Sequence, residues 1–171
     1  LEQSDIKVTA VDWDQKRINK IGDNLRRLDL EADVLCLDLK KWHTTSSYDC
    51  ILLDAPCSAT GIIRRHPEIK LLRTKSDIDK LTRTQSLLLN KAFNLLITGG
   101  ELLYSTCSIL PQENDEVIAR FLSSRSDVKK LDTSLNGWAN SIVTTQHGLQ
   151  LLPTIMDHDG FYYAKLKKEP V

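Results

Sequence analysis

A nearly continuous apolar run, YDCILL, covers Tyr48–Leu53 and is followed directly by Asp54. Runs of this kind are typical of strands in parallel sheets, which helices cover on both faces. Three further β-favouring segments also end at a polar side chain: Ile6–Val11 before Asp12, Ala32–Leu37 before Asp38, and Leu102–Ser105 before Thr106-Cys107-Ser108. The pattern therefore predicts four strands, each of which delivers a polar group at its carboxyl end.

Helices are predicted between and after these strands, because apolar residues there recur at helical spacing. One follows the N-cap residue Asp14, one is capped by Ser76 or Asp77 and runs through Leu96 to a C-cap at Gly99-Gly100, and one begins at Pro111. Three weaker strand candidates complete the chain: Val128–Leu131, Leu149–Leu152 and Phe161–Leu166. The segment Thr133–Gly148 is predicted to be a long loop.

Strands that alternate with helices, followed by a closing β-pair, predict an α/β fold with a doubly wound, mostly parallel sheet and a C-terminal antiparallel pair. Ligands of such sheets bind beyond the carboxyl ends of the strands. Asp12, Asp38, Asp54 and Cys107 all fall at those ends. The pattern therefore predicts a functional site at this edge.

Composition excludes several classes of function. The 171 residues contain 23 Lys and Arg and 23 Asp and Glu, so the chain lacks the excess of basic residues that is typical of a dedicated nucleic-acid-binding domain. We therefore do not expect this segment to provide most of the affinity for RNA. No transmembrane run or secretory signal is visible, which favours a cytoplasmic location without membrane partners and with reduced cysteines. Neither the cysteines nor the histidines show metal-like spacing, so no metal is expected.

Asp12 has two interpretations of equal weight from the residues alone. An acid at the end of a strand can accept hydrogen bonds from the ribose hydroxyls of a nucleotide-like cofactor, or it can simply start a turn and help to cap the next helix. Asp38 could likewise accept a hydrogen bond from an adenine amino group. No GxGxxG or GxxxxGK motif accompanies them.

Cys57 and Cys107 follow two strand ends and could face one cleft together with Asp54. A nucleophilic role requires local stabilisation of a thiolate, for which Arg64, Arg65 or His66 are candidates. The alternative, of about equal weight, is that both cysteines are small buried apolar residues. The Arg64–His66 run could contact phosphates or be merely solvated, and the lysines of residues 165–168 are predicted to form a soluble tail.

Three stretches carry a family resemblance. They are DAPCSATG at Asp54–Gly61 with RRHP at Arg64–Pro67, YSTCS at Tyr104–Ser108 with PQEN at Pro111–Asn114, and DGFYYAKL at Asp159–Leu166. These stretches resemble the bacterial ribosomal RNA small-subunit cytosine-5 methyltransferase B family (the Sun or Fmu proteins), and the likeness runs from about Val8 to Lys168. The paired PC and TC motifs at this spacing are specific for RNA cytosine-5 methyltransferases.

The resemblance implies a class I, Rossmann-like methyltransferase fold that uses S-adenosylmethionine and acts on RNA. It implies that Cys107 attacks C6 of a flipped-out cytosine, that Asp54 hydrogen-bonds or protonates N3, and that Cys57 assists loss of the C5 proton and release of the enzyme. It also implies that Asp12 holds the ribose of the cofactor and Asp38 its adenine end, with Asp54 joining them at the cofactor.

The family pattern also includes an N-terminal RNA-binding domain and a glycine-rich motif on the first, central strand, and neither is present in residues 1–171. We therefore expect residues 1–171 to form a single catalytic domain that is truncated at its N-terminus, lacks the first strand and has little activity in isolation. Unpaired strand edges would favour dimerisation or strand exchange. The missing RNA-binding domain would also account for the neutral charge.

Two alternatives remain open. The first is a transfer-RNA cytosine-5 methyltransferase, although RRHP at Arg64–Pro67 favours small-subunit ribosomal RNA. The second is a noncatalytic RNA-binding module that keeps the motifs but lacks the cofactor loop.

Overall fold

The structure is a computed structural model that describes residues 6–133, 142–153 and 158–171. The chain divides into two units between Thr45 and Ser46, and each unit has its own sheet. No helix of the described residues has both the length and the apolar character that a bilayer-crossing segment needs.

The first unit is a β-α-β arrangement. Strand β1 (Thr9–Asp12) pairs in parallel with β2 (Asp33–Cys36), and helix α1 (Gln15–Leu28) connects them. The predicted N-cap is confirmed, because the Asp14 carboxylate accepts a hydrogen bond of 2.8 Å from the backbone N–H of Lys16. The carboxyl ends of both strands therefore lie at one edge of the pair.

The described part of the second unit contains three α-helices: α2 (Ile69–Leu72), α3 (Lys75–Asn94) and α4 (Asp115–Ser123). The predicted cap of the long helix α3 was wrong by two or three residues. Thr74 is the N-cap, and Asp77 is the third residue of the helix. The two form a capping box, in which the side chain of each accepts a hydrogen bond from the backbone N–H of the other. The box leaves Asp77 inside the helix rather than at its boundary.

The predicted C-cap at Gly99-Gly100 was also wrong, because both glycines lie inside strand β4 (Leu96–Thr106). Tyr48 of the neighbouring strand pairs with Leu96, whereas Cys50 pairs with Glu101, so β4 contains extra residues in a bulge. Gly99 has a φ of +86°, which glycine adopts without steric cost. The glycines therefore serve the bulge, and α3 ends earlier, at Asn94.

The second sheet is mixed. Strand β3 (Tyr48–Asp54) pairs in parallel with β4, and the remaining pairings are antiparallel: β4 with β8 (Phe161–Lys168), β8 with β5 (Val128–Leu131) and β7 (Leu149–Leu151), and β7 with β6 (Ile142–Thr144). The three weaker strand candidates are thus confirmed. Strand β6 lies inside the predicted loop Thr133–Gly148, of which residues 134–141 lie outside the described residues.

The lysines near the C-terminus lie in β8 rather than in a soluble tail, which corrects that prediction. Lys168 donates a hydrogen bond of 2.7 Å from Nζ to the carbonyl oxygen of Leu96, and Lys165 forms an ion pair of 2.7 Å with Glu101. Both lysines reach across to β4, so they help to join the two antiparallel strands.

The core of the second unit lies between β4 and β8 and the helices α3 and α4. Its fully buried side chains include Leu89, Phe93, Leu102, Tyr104, Ile118, Tyr162 and Leu166. Each such side chain contributes about 1.5–3 kcal/mol relative to an exposed one. The packing fixes the position of β4, and hence of the residues that follow its carboxyl end.

Strand β3 lies at one end of the second sheet. The prediction that helices cover both of its faces is only partly correct. Leu53 is buried, but Leu52 is 68% exposed and Cys50 is exposed as well. Successive side chains point to opposite faces of a strand, so one face of β3 packs on the core and the other is open. Dimerisation or strand exchange stays a prediction.

Candidate functional site

The candidate site lies at the carboxyl ends of β3 and β4, where two loops leave neighbouring parallel strands. Asp54 pairs with Ser105, and the backbone N–H of Ala55 donates a hydrogen bond of 2.9 Å to the carbonyl oxygen of Ser105. Because the register places the two strand ends side by side, the PC and TC motifs begin next to each other although about 50 residues separate them.

The two thiols of these motifs are in contact. Cys57 Sγ lies 3.3 Å from Cys107 Sγ, and both side chains are half-buried. The other two cysteines, Cys36 and Cys50, are exposed. The fold thus brings together the two cysteines that sequence reasoning selected.

The contact shifts the pKa values of the two thiols in opposite directions. The pKa of Cys57 is raised, first by its hydrogen bond with Cys107, then by burial and by repulsion from a charged Cys107. The pKa of Cys107 is lowered, because the Cys57 S–H stabilises a thiolate there; burial and the charge of Asp54 oppose this effect. The two directions favour ionisation of Cys107 over ionisation of Cys57.

A buried carboxylate lies behind both cysteines. Glu113 is fully buried, and it accepts hydrogen bonds from the hydroxyls of Ser58 and Ser108. Each of these serines directly follows one of the cysteines. Sequence reasoning missed this role for Glu113, although the serine after each cysteine is a signal that could have pointed to it.

A second connection runs through the backbone of two glycines. The N–H of Gly61 donates to the carbonyl oxygen of Cys107 at 2.9 Å, and the N–H of Gly160 donates to the carbonyl oxygen of Gly61 at 2.8 Å. Next to it, the guanidinium of Arg65 forms an ion pair with Asp159. The third motif, DGFYY, therefore closes on the loop that carries Cys57.

The Arg64–His66 run is not the main source of thiolate stabilisation. Arg65 is engaged with Asp159, and His66 lies 3.1 Å from Glu68. The largest cause of the lowered pKa of Cys107 is the thiol of Cys57. The basic run is largely exposed, which leaves contact with phosphates as a prediction.

Asp54 is the last residue of β3 and is exposed. Its charge opposes ionisation of Cys107, and it raises the pKa of Tyr163 after the larger effect of burial. Asp54 is therefore close enough to the Cys107 thiol to interact with it electrostatically. Its contact with a cytosine or a cofactor stays a prediction.

Asp12 and Asp38 belong to the first unit, at the carboxyl edge of its parallel pair. One oxygen of Asp12 accepts the N–H of Asp14 at 2.8 Å, and the other lies 3.5 Å from the guanidinium of Arg17. Asp38 accepts the N–H of Lys40 at 3.0 Å. Both carboxylates thus take part in local turns and remain partly exposed acceptors, which fits a ligand that carries hydroxyl or amino donors.

No group of three or more His, Cys, Asp or Glu side chains in the described residues could hold a metal ion.

Comparison with known proteins gives consistent matches. A model of the family described as 16S rRNA methyltransferase RsmB/F matches residues 1–167. Ribosomal RNA small subunit methyltransferase B of Shewanella oneidensis is 46% identical over 166 residues, which are 95% of this chain and 38% of that protein. The chain thus spans well under half of this relative.

Solved structures of methyltransferases share the fold. NSun6 from Pyrococcus horikoshii, solved with SFG, superposes with a TM-score of 0.81 at 26% identity over 96% of this chain and 42% of its own. A methyltransferase homologue from the same organism gives a TM-score of 0.77 at 30% identity over 95% of this chain and 53% of its own. The mixed sheet with its antiparallel C-terminal strands is that of the class I methyltransferases.

Proposed function

Because this chain belongs to the 16S rRNA methyltransferase RsmB/F family, we propose that it carries the chemistry of a cytosine-5 methyltransferase that acts on small-subunit ribosomal RNA. The chain spans 38% of the S. oneidensis relative, so the activity and the substrate of the whole protein form part of this proposal. The observation that carries it is the contact of 3.3 Å between the Cys57 and Cys107 thiols, with their opposite pKa shifts.

Cys107 is the nucleophile in this proposal. C5 of cytosine is too weak a nucleophile to take a methyl group until C6 is saturated. The Cys107 thiolate attacks C6 and forms an S–C6 bond, which moves electron density towards N3 and C5. Asp54 acts on N3 in its carboxylic acid form: it hydrogen-bonds or protonates N3 and so stabilises the negative charge that develops there. In that form it also no longer opposes ionisation of Cys107.

Cys57 completes the reaction as the partner of the leaving thiolate. When bound, S-adenosylmethionine would supply the electrophilic methyl group that C5 takes. Cys57 assists transfer of the C5 proton to water, and N3 returns its proton to Asp54. The C5–C6 double bond re-forms as the S–C6 bond breaks, and Cys107 leaves as a thiolate. The S–H of Cys57 hydrogen-bonds to the departing thiolate, so the same contact that lowers the pKa of Cys107 favours release of the product.

The first unit contributes acceptors for the cofactor. Asp12 accepts the ribose hydroxyls, and Asp38 accepts the adenine amino group. Their placement at the carboxyl edge of a parallel strand pair supports this assignment, because nucleotides bind α/β sheets at that edge. A ribosomal substrate places the activity in the cytoplasm, where the thiols of both cysteines remain reduced.

A 5-fluorocytosine RNA tests the covalent route, because fluorine at C5 blocks release and traps the protein on the RNA. The full-length protein should form an adduct that survives denaturing electrophoresis. Cys107→Ala should form none, Cys57→Ala should still form it, and the exposed-thiol control Cys50→Ala should match the wild type. Trapping that persists in Cys107→Ala and vanishes in Cys57→Ala would assign the nucleophile to Cys57 instead.

The choice of RNA is tested separately with the full-length protein and labelled methyl donor. Label should enter C5 of a cytosine in small-subunit ribosomal RNA. Label that enters transfer RNA alone would redirect the substrate to that class. No label in either RNA, with retained RNA binding, would indicate a noncatalytic module.

A further inference from the structure

We propose that Glu113 is a positioning residue, which clamps the loops that follow β3 and β4 so that Cys57 and Cys107 stay in contact. The inference rests on the proposed function, because the contact matters for catalysis only if Cys107 is the nucleophile. It assigns a role to a residue that touches neither substrate nor cofactor in that mechanism.

The contacts of Glu113 support the clamp. Its Oε1 accepts the backbone N–H of Ser58 at 2.8 Å and the side-chain amide of Gln85 at 3.1 Å. Its Oε2 accepts the hydroxyls of Ser58 and Ser108, the second at 2.6 Å. One carboxylate therefore holds the residue next to each cysteine, and each sulfur lies one residue away from the clamp.

Neighbouring bonds extend the clamp to both loops. Gln85, which is fully buried on α3, also donates to the carbonyl oxygen of Pro56 at 2.9 Å. On the other side, the Tyr104 hydroxyl donates to the carbonyl oxygen of Glu113 at 2.8 Å. The side chain and backbone of Glu113 are thus both held, so the carboxylate is a fixed point between the two loops.

Placing a charged carboxylate at this buried position costs free energy. Burial of a charge is costly unless hydrogen bonds compensate, and in the described residues Glu113 forms no ion pair. Its charge also opposes ionisation of both thiols. What the carboxylate provides is geometry, because its two oxygens accept four donors from two loops and α3 at once.

These two effects of Glu113 make opposite predictions for Glu113→Gln. Loss of the charge alone would lower the pKa of Cys107. Loss of the clamp would separate the thiols and remove the Cys57 hydrogen bond, which is the larger effect, so it would raise the pKa of Cys107. The direction of the shift therefore distinguishes a positioning role from a purely electrostatic or structural one.

The test measures alkylation of Cys107 by iodoacetamide against pH in the full-length protein, with peptide mass spectrometry as the readout. We expect the midpoint of Glu113→Gln to move to higher pH by about one unit, which makes alkylation roughly tenfold slower below the midpoint. We also expect kcat to fall about 10- to 100-fold with little change in KM, as for a misplaced catalytic group. A midpoint that is unchanged or moves to lower pH would overturn the proposal.

Controls keep the outcome interpretable. Glu116→Gln removes an exposed carboxylate three residues away, which pairs with Arg120, and should leave the midpoint and kcat unchanged. If Glu113→Gln does not fold, Ser108→Ala removes one donor and should move the midpoint in the same direction by less. The alkylation needs neither RNA nor cofactor. It therefore tests the positioning role of Glu113 even if the 5-fluorocytosine adduct fails to form and the proposed function is wrong.

Discussion

The backbone N–H of Gly61 donates a hydrogen bond of 2.9 Å to the carbonyl oxygen of Cys107, at a point where no side chain fits between the two loops. A Cβ atom at Gly61 would lie 2.1 Å from the carbonyl oxygen of Gly160 and 2.8 Å from that of Cys107. Three segments therefore meet backbone to backbone beside the thiol pair, and the close approach requires glycine.

Gly61→Ala should lower both stability and activity. The backbone oxygens cannot move aside as a flexible side chain would, so we expect a loss of about 1–3 kcal/mol in the free energy of unfolding, as for an overpacked site. Urea denaturation measures that loss. The matched control is Gly22→Ala in helix α1, where the added Cβ would meet only the end of the Arg26 side chain, at 3.6 Å. This substitution should instead raise the free energy of unfolding by about 0.5–1 kcal/mol. Equal effects of the two substitutions would contradict the steric argument.

Cys57→Ala should raise the pKa of Cys107. The S–H of Cys57 is the largest cause of the lowered pKa, and alanine cannot donate a hydrogen bond. At a fixed pH below the midpoint, a smaller fraction of Cys107 is then ionised, so its alkylation slows. Rates measured between pH 6 and pH 10 should show the midpoint at higher pH. The control Cys50→Ala removes an exposed thiol and should reproduce the wild-type curve.

Asp127→Asn should destabilise the protein at neutral pH by roughly 1.5–3 kcal/mol, the range for a hydrogen bond to a charged group. Its carboxylate accepts two hydrogen bonds from the guanidinium of Arg125, at 2.7 and 2.6 Å, and both side chains are mostly buried. Arg125 also lies 4.9 Å above the centre of the Phe93 ring. The pair thus holds a cation against the core.

The stabilisation by Asp127 depends on pH, because the pKa of its carboxyl group is lowered in the folded state. The Arg125 hydrogen bonds lower the pKa of Asp127, so the stabilisation is present above the unfolded-state pKa of about 3.9 and is lost as the pH falls through the lower folded-state pKa. Urea denaturation at pH 7 and pH 3 should show the difference between wild type and variant shrinking on acidification. Asp23→Asn, at an exposed pair with Arg26, should change stability by less than about 1 kcal/mol.

Asp12→Asn should weaken binding of S-adenosylmethionine. Asparagine still accepts the N–H of Asp14, so the turn is preserved. The substitution removes the charge of the carboxylate that we propose as the acceptor for the ribose hydroxyls. A hydrogen bond to a charged group contributes about 1.5–3 kcal/mol, which corresponds to roughly 10- to 100-fold weaker binding. Calorimetric titration of the full-length protein measures it. Asp33→Asn, an exposed acid at the opposite end of the strand pair, should bind as the wild type does.

Local patterns predicted most of the elements correctly. Hydrophobic periodicity placed α1, and the β-favouring runs placed β3, β5 and β8 within two residues of their boundaries. The failures have local causes. A bulge needs glycine just as a helix end does, so Gly99-Gly100 was assigned to the wrong element. Strand β6 was missed because its three residues lie within a mostly polar stretch that predicts a loop.

The candidate site also contains residues that the sequence indicated and one that it did not. Its cysteines and its acids could be chosen from the sequence, because each follows a strand and the motifs resemble those of a known family. The depth of Glu113 could not be predicted, since a PQEN segment after a strand is as compatible with an exposed helix start. Glu113 is buried because α3 and both cysteine loops close over it.

Sequence alone was sufficient for the order of most elements, the family and the polar residues at the strand ends, because these depend on neighbours within a few positions along the chain. Tertiary structure alone settled that Cys57 touches Cys107 and that Glu113 holds both loops. Those contacts join residues up to 55 positions apart, and they exist only because β3 and β4 pair in parallel in one register and end side by side.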